Sequence, residues 1–433
     1  MEHTLTIKKV IAGGSGLGTL SDGMAAMVPG TLPGETVLVR ERKRHRGHLE
    51  ADLVRILAPS PDRVAPPCPH YGRCGGCDLQ HAAYPAQLIL KQRILRESLT
   101  RARLDLPPDQ PALASPLPFG YRCRLRLHLD HAGRLGFHAP ASNTVVPIER
   151  CLLATEPINL AIASLVEHRW PERLAAGVAA IELIHSPADA TVTVALAPRP
   201  NLRPRQLAAL TAALADGLHP LPAAVLAGSS GSRPDAAPAP APCRQDFAPR
   251  GLGYHLRWDH RCFFQVNSAQ NSRLVETVLD LLPPISPPAT ALDLYCGMGN
   301  FSIPLALAGL RVTGVEQNPA GIRWAQTNSQ AAGLTDIRFL GGDVARHLQA
   351  LIAAEARFDL ILLDPPRQGA GRAAALLPLL RPARILSIAC DPATLARDLG
   401  LIVPQGYRLT RLIPVDMFPQ THHIESIALL ERI

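Results

Sequence analysis

The stretch from Ala291 to Glu316, ALDLYCGMGNFSIPLALAGLRVTGVE, constrains the possible folds of this 433-residue chain more than any other. A short apolar run, Ala291–Leu294, leads into a glycine-containing loop, and the segment Phe301–Ala308 that follows has the apolar content of a buried helix. A second apolar run, Arg311–Val315, ends at Glu316. The order of strand, tight turn, helix, strand and acid predicts one βαβ unit of an α/β fold.

The loop of this unit indicates the kind of ligand that it holds. Gly297 and Gly299 let the backbone approach a ligand closely, and Glu316 at the end of the second strand can hold a ribose diol. The third glycine of the dinucleotide-binding pattern, which seats a pyrophosphate, is absent. A nucleoside without a pyrophosphate fits better, and this favours S-adenosylmethionine. The alternative is an ordinary turn of any α/β domain.

The same unit repeats along the C-terminal part of the chain. Three further apolar runs each end in a polar group: Ile337–Leu340 before Asp343, Phe358–Leu363 before Asp364, and Arg384–Ala389 before Cys390. Because open α/β sheets bind ligands at the carboxyl ends of their strands, these groups are expected at one edge. Tyr407–Pro414 and His423–Leu430 would complete the sheet as a hairpin.

Charge and cysteine usage limit the classes of protein that fit. Forty-four lysines and arginines against 36 acidic residues give a net charge of +8, which suits a nucleic-acid partner, although a compositional bias of the source is an alternative. No signal-peptide core and no run long enough to span a membrane are found, so a cytoplasmic protein is expected. The nine cysteines therefore favour reduced thiols, metal ligands or catalysis over disulfides.

Residues 1–60 predict a small β module. Short apolar runs separated by Gly- and Pro-bearing turns flank a basic hairpin, Arg40–Arg46. Small strands with a basic loop suit an OB-like barrel that grips RNA. A solvated charged turn is the alternative interpretation of the hairpin.

A cysteine cluster follows in the sequence CPHYGRCGGC. Cys68, Cys74 and Cys77 have the spacing C-x5-C-x2-C among glycines that let the backbone fold around one centre, and Cys151 is the best candidate for a fourth ligand. Four cysteines support either zinc or an iron–sulfur cluster, and the spacing does not choose between them.

Three segments of the middle region suggest contacts or a loop. Alternation in YRCRLRLHL places Arg122, Arg124 and Arg126 on one strand face, where they could meet phosphates or simply be solvated. Arg261–Asn267, RCFFQVN, offers an aromatic pair and two amides to a flat base, although such a segment alone is more often a core strand. Ala227–Pro242 is of low complexity and predicts a loop.

Two residues near the C-terminus suggest a chemistry. Cys390 precedes a helix that starts at Pro392, and a helix N-terminus lowers a thiol pKa. Glu425 follows two histidines and is a possible proton acceptor. C5 of uracil is a poor nucleophile, but a thiolate that adds to C6 makes it enolate-like. A methyl donor, a thiol and a carboxylate base together therefore suggest methylation of uracil at C5.

Over nearly its whole length the sequence resembles the RNA uracil-C5 methyltransferases, the group of the 23S rRNA and tRNA 5-methyluridine enzymes. The matching stretches are FFQVN, DLYCGMGNFS, GVEQN, DPPRQG, ACDPATLARD, DMFPQTHHIE and CPHYGRCGGC. The resemblance implies Cys390 as nucleophile and Glu425 as base. It implies a donor and uracil site lined by Gln265, Tyr295, Gly297, Asn300, Glu316, Asp343 and Asp364. It also implies a [4Fe–4S] cluster on Cys68, Cys74, Cys77 and Cys151, which favours the cluster over zinc.

The resemblance also implies an architecture. It predicts an N-terminal OB-like TRAM barrel over 1–60, and a central α+β domain with the cluster over 61–85 and 112–253. It predicts a Rossmann-like class I methyltransferase domain over 86–111 and 254–433. Asp391 stands where relatives commonly carry Asn, and Ala389 stands where they often carry Ser. Both changes could alter the hydrogen bonding of the thiol.

Other functions fit parts of the pattern. An amino-group methyltransferase would use a similar Asp-Pro-Pro loop without a cysteine, and a non-catalytic RNA-binding protein would explain the charge alone. By resemblance to the family, the cluster motif favours rRNA as the substrate, with tRNA as the alternative. No obligate protein partner is evident, and a monomer is expected.

Overall fold

The computed structural model describes residues 1–218, 223–227, 242–282 and 289–433. Almost all of the predicted loop at Ala227–Pro242 lies outside these residues. Within the described residues no helix is long and apolar enough to cross a membrane.

The N-terminal strands close into a five-stranded barrel in the order β1-β2-β3-β5-β4. The strands are β1 (Glu2–Val10), β2 (Gly16–Thr19), β3 (Ala25–Val28), β4 (Thr36–Arg44) and β5 (His48–Ala58). Alternate residues of β1 and β4, among them Leu5, Ile7, Val37 and Val39, point into a buried core. The predicted barrel is confirmed, and its basic segment Arg40–Arg46 forms the end of β4 and the start of the β4–β5 connection.

A long helix and a six-stranded sheet follow the barrel. The elements are α1 (Tyr84–Arg101), β6 (Arg124–Leu129), β7 (Leu135–His138), β8 (Val145–Pro147), α2 (Glu156–Glu167), α3 (Trp170–Leu174), β9 (Val178–His185), β10 (Val192–Pro198), α4 (Pro204–Gly217) and β11 (Ala223–Ala227). The strand order is β11-β10-β9-β6-β7-β8. Helix α2 packs on this sheet, where Ile158, Ile162 and Leu165 are fully buried with Leu127 and Ile181.

A hairpin joins this sheet to the C-terminal region. Strands β12 (Cys243–Phe247) and β13 (Tyr254–Trp258) pair antiparallel, so the predicted domain boundary at 253/254 falls inside the hairpin. Trp258 shares a buried cluster with Cys123 and with Met298, which belong to the central sheet region and to the glycine loop. The hairpin therefore packs against both neighbours.

The C-terminal region is an α/β sheet with helices on both faces. Its elements are α5 (Ser268–Asp280), β14 (Thr290–Leu294), α6 (Ser302–Leu307), β15 (Arg311–Glu316), α7 (Pro319–Ala331), β16 (Ile337–Gly341), α8 (Val344–Ala353), β17 (Leu360–Leu363), α9 (Arg372–Leu376), β18 (Arg384–Ala389), α10 (Pro392–Ile402), β19 (Tyr407–Val415) and β20 (Glu425–Arg432).

The order of this seven-stranded sheet positions the site. It is β16-β15-β14-β17-β18-β20-β19, in which the first five strands are parallel and β20 runs antiparallel to both of its neighbours, β18 and β19. The chain runs from β14 outward in one direction and from β17 outward in the other, so the strand order reverses between β14 and β17. Ligands of open α/β sheets bind at such a point. The predicted strands and the closing hairpin are confirmed.

Helix α1 precedes the central sheet in sequence but packs on the C-terminal sheet. Leu90, Ile94, Leu95 and Leu99 are buried in the same cluster as Leu395 and Leu399 of α10. A helix from the first half of the chain therefore lies beside the strands that carry the site.

Candidate active site

The glycine loop after β14 turns on three residues with positive φ. Tyr295, Gly297 and Gly299 have φ of 62°, 54° and 95°. The backbone N–H of Gly297 donates a 3.0 Å hydrogen bond to Oε2 of Glu316 at the end of β15. The other oxygen, Oε1, accepts from the backbone N–H of Asn318 at 2.6 Å. The structure thus joins the two features from which a nucleoside site was predicted.

Helix α7 comes close to this loop. A Cβ built on Gly321 would lie 3.1 Å from both Cγ of Glu316 and the carbonyl oxygen of Gly297. A side chain at position 321 would therefore displace the loop or the acid.

Asp343 and Tyr295 lie on the same side of the sheet as Glu316. Asp343 is exposed and caps α8, where its Oδ1 accepts from the N–H of Arg346 at 2.9 Å. Burial raises the pKa of Tyr295 to about 12, and the carboxylates of Asp398, Asp343 and Glu316 add to this effect. The structure therefore brings these sequence-predicted residues together.

Asn300 has a partner that was not predicted. Its Nδ2 donates to Oδ1 of Asn271 at 3.1 Å, and Nδ2 of Asn271 donates back to Oδ1 of Asn300 at 2.9 Å. Asn271 lies on α5, one turn after Asn267, which caps that helix. One sequence signal could have indicated Asn271 as this partner: the helix that begins in the motif FFQVN carries two asparagines one turn apart.

A second residue that was not predicted is Asp293, a charged residue inside the apolar run of β14. It is fully buried, Oγ of Ser302 donates to its Oδ2 at 2.5 Å, and its Oδ1 has no hydrogen-bond partner among the described residues. Burial raises its pKa to about 7, although the Ser302 hydrogen bond opposes the shift.

Asp364 and Glu425 form an acidic pair at the ends of β17 and β20. Burial raises the pKa of Asp364 to about 7, and a hydrogen bond from Gln265 opposes that shift. Glu425 is 3% exposed, and its Oε1 has no hydrogen-bond partner within the part of the chain that the structure describes. Burial and the nearby Asp364 hold its pKa well above the usual value, while Arg367 opposes them. The site thus holds a carboxyl group in an apolar setting.

Cys390 opens into a cavity of about 150 Å³. The cavity is lined by Ala12, Gly13, Ile94, Arg367, Cys390, Asp391, Pro392, His422, His423 and Ile424. Ala12 and Gly13 come from the barrel and Ile94 from α1, so three separate parts of the chain complete it. This contribution of the barrel was not predicted.

The expected lowering of the Cys390 pKa is wrong for the protein without ligands. Burial raises the pKa of this thiol to about 12, and Glu425 and Asp364 raise it further. Arg367 opposes them. Burial and the nearby carboxyls raise the pKa of the thiol more than the N-terminus of α10 lowers it. The first turn of α10 is capped by Asp391, which accepts a hydrogen bond from the N–H of Thr394 at 2.8 Å.

The aromatic pair in RCFFQVN is divided between core and surface. Phe264 is 3% exposed and packs on Trp258 with ring centroids 4.9 Å apart, whereas Phe263 is 69% exposed. Gln265 is buried and faces Asp364. Of this pair, only Phe263 is free to stack on a base.

The three arginines of β6 and the residues before it do not act as one phosphate-binding face. Arg124 donates to Glu182 at 2.8 Å and to the carbonyl oxygens of His260 and Cys262, so it supports the segment that carries Phe263. Arg122 donates to the carbonyl oxygen of Arg124, and Arg126 is exposed. The alternation itself is confirmed, because the intervening residues are buried.

The basic hairpin of the barrel is largely neutralised by neighbouring carboxylates. Arg40 pairs with Glu2 at 2.9 Å, Arg42 pairs with Glu50 at 3.1 Å, and Arg44 pairs with Glu41 at 2.7 Å. The remaining side chains, Lys43 and Arg46, are exposed and form no ion pair with described residues. Of the residues predicted to contact phosphates in this segment, only Lys43 and Arg46 therefore remain without a carboxylate partner among the described residues.

The four cysteines of the expected cluster converge, although Cys151 is distant in sequence from the other three. Cys151 follows β8, and it is close enough for its charge to affect the pKa of both Cys74 and Cys77, as does that of Cys68. Burial raises the pKa of Cys77 to about 12. Potential metal ligands are the nitrogen atoms of His, the sulfur of Cys and the carboxylate oxygens. Among the described residues, the one group of three such atoms within 4.8 Å of one another comes from His45, His48 and Glu50. No three of the four sulfur atoms therefore lie within 4.8 Å of one another.

The strand order, the glycine loop and the acid at the end of β15 define a Rossmann-like α/β fold with a nucleoside-binding edge. Residues 243–433 match the family model described as tRNA (uracil-5-)-methyltransferase. The tRNA (uracil-54, C5)-methyltransferase of Pyrococcus abyssi, solved with S-adenosyl-L-homocysteine, superposes with a TM-score of 0.74. At 24% identity, the match covers 98% of this chain and 99% of that one.

Curated relatives extend over nearly the full length. The chain is 37% identical over 428 residues to the 23S rRNA (uracil(1939)-C(5))-methyltransferase RlmD of Alkalilimnicola ehrlichii, covering 95% of this chain and 92% of the relative. It is 35% identical over 435 residues to the enzyme of the same description from Pseudomonas entomophila, covering 99% and 94%. The chain belongs to the RNA uracil-C5 methyltransferase family and is an S-adenosylmethionine-dependent enzyme.

Proposed function

We propose that this enzyme methylates C5 of one uridine of 23S rRNA, with Cys390 as nucleophile and Glu425 as base. The observation that carries the proposal is the grouping of a thiol, two buried carboxyls and one arginine where β17 and β18 end and β20 begins, next to the reversal point of the sheet. The similarity to 23S rRNA enzymes, 37% and 35% identity over nearly the full length of the chain, supports rRNA over tRNA as the substrate.

The proposed reaction uses Cys390 twice. Its thiolate adds to C6 of the uracil, and the electron pair moves to C5, which bonds the methyl group that S-adenosylmethionine supplies. Glu425 then removes the C5 proton, the C5–C6 double bond forms again, and the thiolate leaves. Gln265 and Asp364 lie beside this position and are assigned to hold the polar edge of the base.

Arg367 is assigned to favour the ionised forms. It is the cation that lowers the pKa of both Cys390 and Glu425, against burial and the neighbouring carboxyls. His423 lies 3.5 Å from Arg367, and burial lowers its pKa to about 4, so it is neutral at pH 7. Arg367 is the one arginine or lysine among the residues that line the cavity.

Trapping of the covalent complex tests these roles. Glu425→Gln should stop after methyl transfer and accumulate an RNA–protein complex that carries radiolabelled methyl and migrates slowly in denaturing gels. Cys390→Ala and the double variant should form none. Normal turnover of Glu425→Gln would reassign the base, and activity of Cys390→Ala would favour an amino-group methyltransferase instead.

Competition between substrates tests the choice of RNA. The enzyme should methylate a 23S rRNA fragment in preference to unmodified tRNA when both are present, and mass mapping of 5-methyluridine in a deletion strain should show the loss in rRNA. Loss confined to tRNA would support the alternative.

We further propose that Cys68, Cys74, Cys77 and Cys151 hold a [4Fe–4S] cluster. Their convergence supports a shared ligand, and the resemblance of CPHYGRCGGC to the cluster-containing enzymes of the family favours a cluster over a single zinc ion. Methyl transfer is not a redox reaction, so the cluster is assigned a structural role between the loop at Cys77 and the end of β8.

The domain assignment is part of the same proposal. Residues 1–60 would form a TRAM domain that binds RNA, 61–85 and 112–253 would form the cluster domain, and 86–111 and 254–433 would form the catalytic domain. The position of α1 on the C-terminal sheet supports the discontinuous arrangement.

A further inference from the structure

The loop from Asp416 to Ile424, which joins β19 to β20, leads directly into Glu425. It contains no helix or strand, yet His422, His423 and Ile424 line the Cys390 cavity. Within the described residues, Glu425 has no orienting hydrogen bond at its Oε1. Because Glu425 directly follows this loop, the position of its carboxylate near Cys390 depends on how the loop is held.

Helix α1 holds the beginning of the loop through Lys91. This lysine is 2% exposed, and its Nζ donates to Oδ1 of Asp416 at 2.6 Å and to the carbonyl oxygen of Phe418 at 3.0 Å. Asp416 is 1% exposed. A buried charge without its partner is strongly unfavourable, so the pair restricts the loop to conformations that keep both groups together.

Helix α1 holds the middle of the loop through Gln87, one turn earlier. Its Oε1 accepts from the backbone N–H of Gln420 at 2.9 Å, and its Nε2 donates to Oε1 of Gln420 at 2.9 Å. The same Nε2 also donates to the carbonyl oxygen of Ala82. Both side chains are buried, so a broken bond would not be replaced by water.

Gln420 is the centre of these contacts. Its backbone has φ of +70°, a left-handed conformation that is unfavourable for a residue other than glycine. Its carbonyl oxygen accepts from the N–H groups of Asp78 and Leu79, directly after Cys77. The loop is thereby tied to α1 on one side and to the cysteine segment on the other.

We propose that Gln87 and Lys91 are positioning residues for the proton-removal step. They fix the loop Asp416–Ile424 and through it the approach of Glu425 to the substrate. This inference rests on the proposed role of Glu425 as the base. It assigns a catalytic consequence to two residues that touch neither the reacting atoms nor the donor site.

The experiment compares Gln87→Leu and Gln420→Gly with a control on the same helix, Gln92→Leu. Gln92 donates to the carbonyl oxygen of Gln110 at 3.0 Å, away from the loop. Gln420→Gly removes the side-chain oxygen that accepts from Nε2 of Gln87 and gives the loop backbone the freedom of glycine, so it should loosen the loop and remains informative if Gln87→Leu does not fold. Hydrogen–deuterium exchange of the 416–425 peptides, kcat, KM and the covalent complex are measured for each.

Both loop variants should show faster exchange across 416–425 and a fall in kcat of about 10- to 100-fold, the usual effect of a misplaced catalytic group. KM for S-adenosylmethionine should stay unchanged, and the methylated covalent complex should accumulate as in Glu425→Gln. The control should match the unaltered enzyme in every readout.

Unchanged exchange and unchanged kcat in Gln420→Gly would overturn the inference. Weaker RNA binding without accumulation of the complex would overturn it also, because the loop would then act on binding alone. A wrong assignment of Glu425 as the base gives a different result, because Glu425→Gln would then turn over normally. The hydrogen–deuterium exchange data need no catalysis and would still report on the loop.

Discussion

The backbone N–H of Gly297 donates to Oε2 of Glu316 across 19 residues of sequence, at 3.0 Å. The bond joins the glycine loop to the acid at the end of the second strand and fixes the carboxylate before any ligand is present. A preset acceptor loses little conformational freedom when it binds ribose hydroxyls.

Removal of this acid should weaken donor binding. Glu316→Ala is expected to cost about 1–3 kcal/mol of affinity for S-adenosylmethionine, because it leaves the ribose hydroxyls and the Gly297 N–H without their acceptor. Calorimetry measures the change, and Glu276→Ala on the exposed face of α5 is the control. Equal affinities for the two variants would remove Glu316 from the donor site.

Activity should rise with pH above neutrality. Burial raises the pKa of Cys390 to about 12 and also raises that of Glu425, and both groups act in their deprotonated forms, so their active fraction increases with pH. Arg367→Ala should raise both pKa values further and move the rising part of the profile to higher pH, with Arg367→Lys closer to the original. Below its pKa, a group whose pKa rises by one is deprotonated about tenfold less often at the same pH, and the rate should fall in proportion.

Single-turnover methylation from about pH 6.5 to 9 at constant ionic strength records this profile. Arg372→Ala, an exposed arginine on α9, is the matched control. A flat profile, or equal displacement by the control, would contradict the assignment of Arg367.

The two adjacent phenylalanines should behave differently. Phe263→Ala should weaken binding of an RNA fragment by about 1–3 kcal/mol, the usual value of one base stacked on an aromatic ring, with little change in Tm. Phe264→Ala should lower stability by about 3–5 kcal/mol, because it leaves a cavity against Trp258. Fluorescence anisotropy and thermal unfolding measure the two effects, with the exposed Leu160→Ala as control. RNA affinity unaffected by Phe263→Ala would make this residue an ordinary exposed side chain.

Anaerobically purified protein should be brown, with about four irons per chain. Cys151→Ser should lose most of the iron, whereas Cys243→Ser, a buried thiol in the β12–β13 hairpin, should keep it. Metal analysis and absorption spectra measure both. A colourless protein with one zinc would replace the cluster by a zinc site.

Local sequence order was enough to predict the βαβ unit and the strand ends, because a glycine turn and an acid after a strand act over a few residues. The predicted strand Arg384–Ala389 matches β18 at both ends. The pKa of Cys390 was predicted in the wrong direction, because it depends on Glu425 and Asp364, which come from other strands. The partners of Arg124 and Gln420 could not be predicted for the same reason, since no local sequence pattern specifies which distant groups will face them.

The presence of Ala12 and Gly13 in the wall of the Cys390 cavity affects how this enzyme can be altered. A barrel that only captured RNA could be deleted or exchanged, with a loss of affinity that high RNA concentration would restore. Here deletion or replacement of the barrel would remove Ala12 and Gly13 and open one side of the Cys390 cavity to water. The three parts of the chain are therefore not interchangeable modules, and a graft that preserves RNA capture must also preserve the turn between β1 and β2.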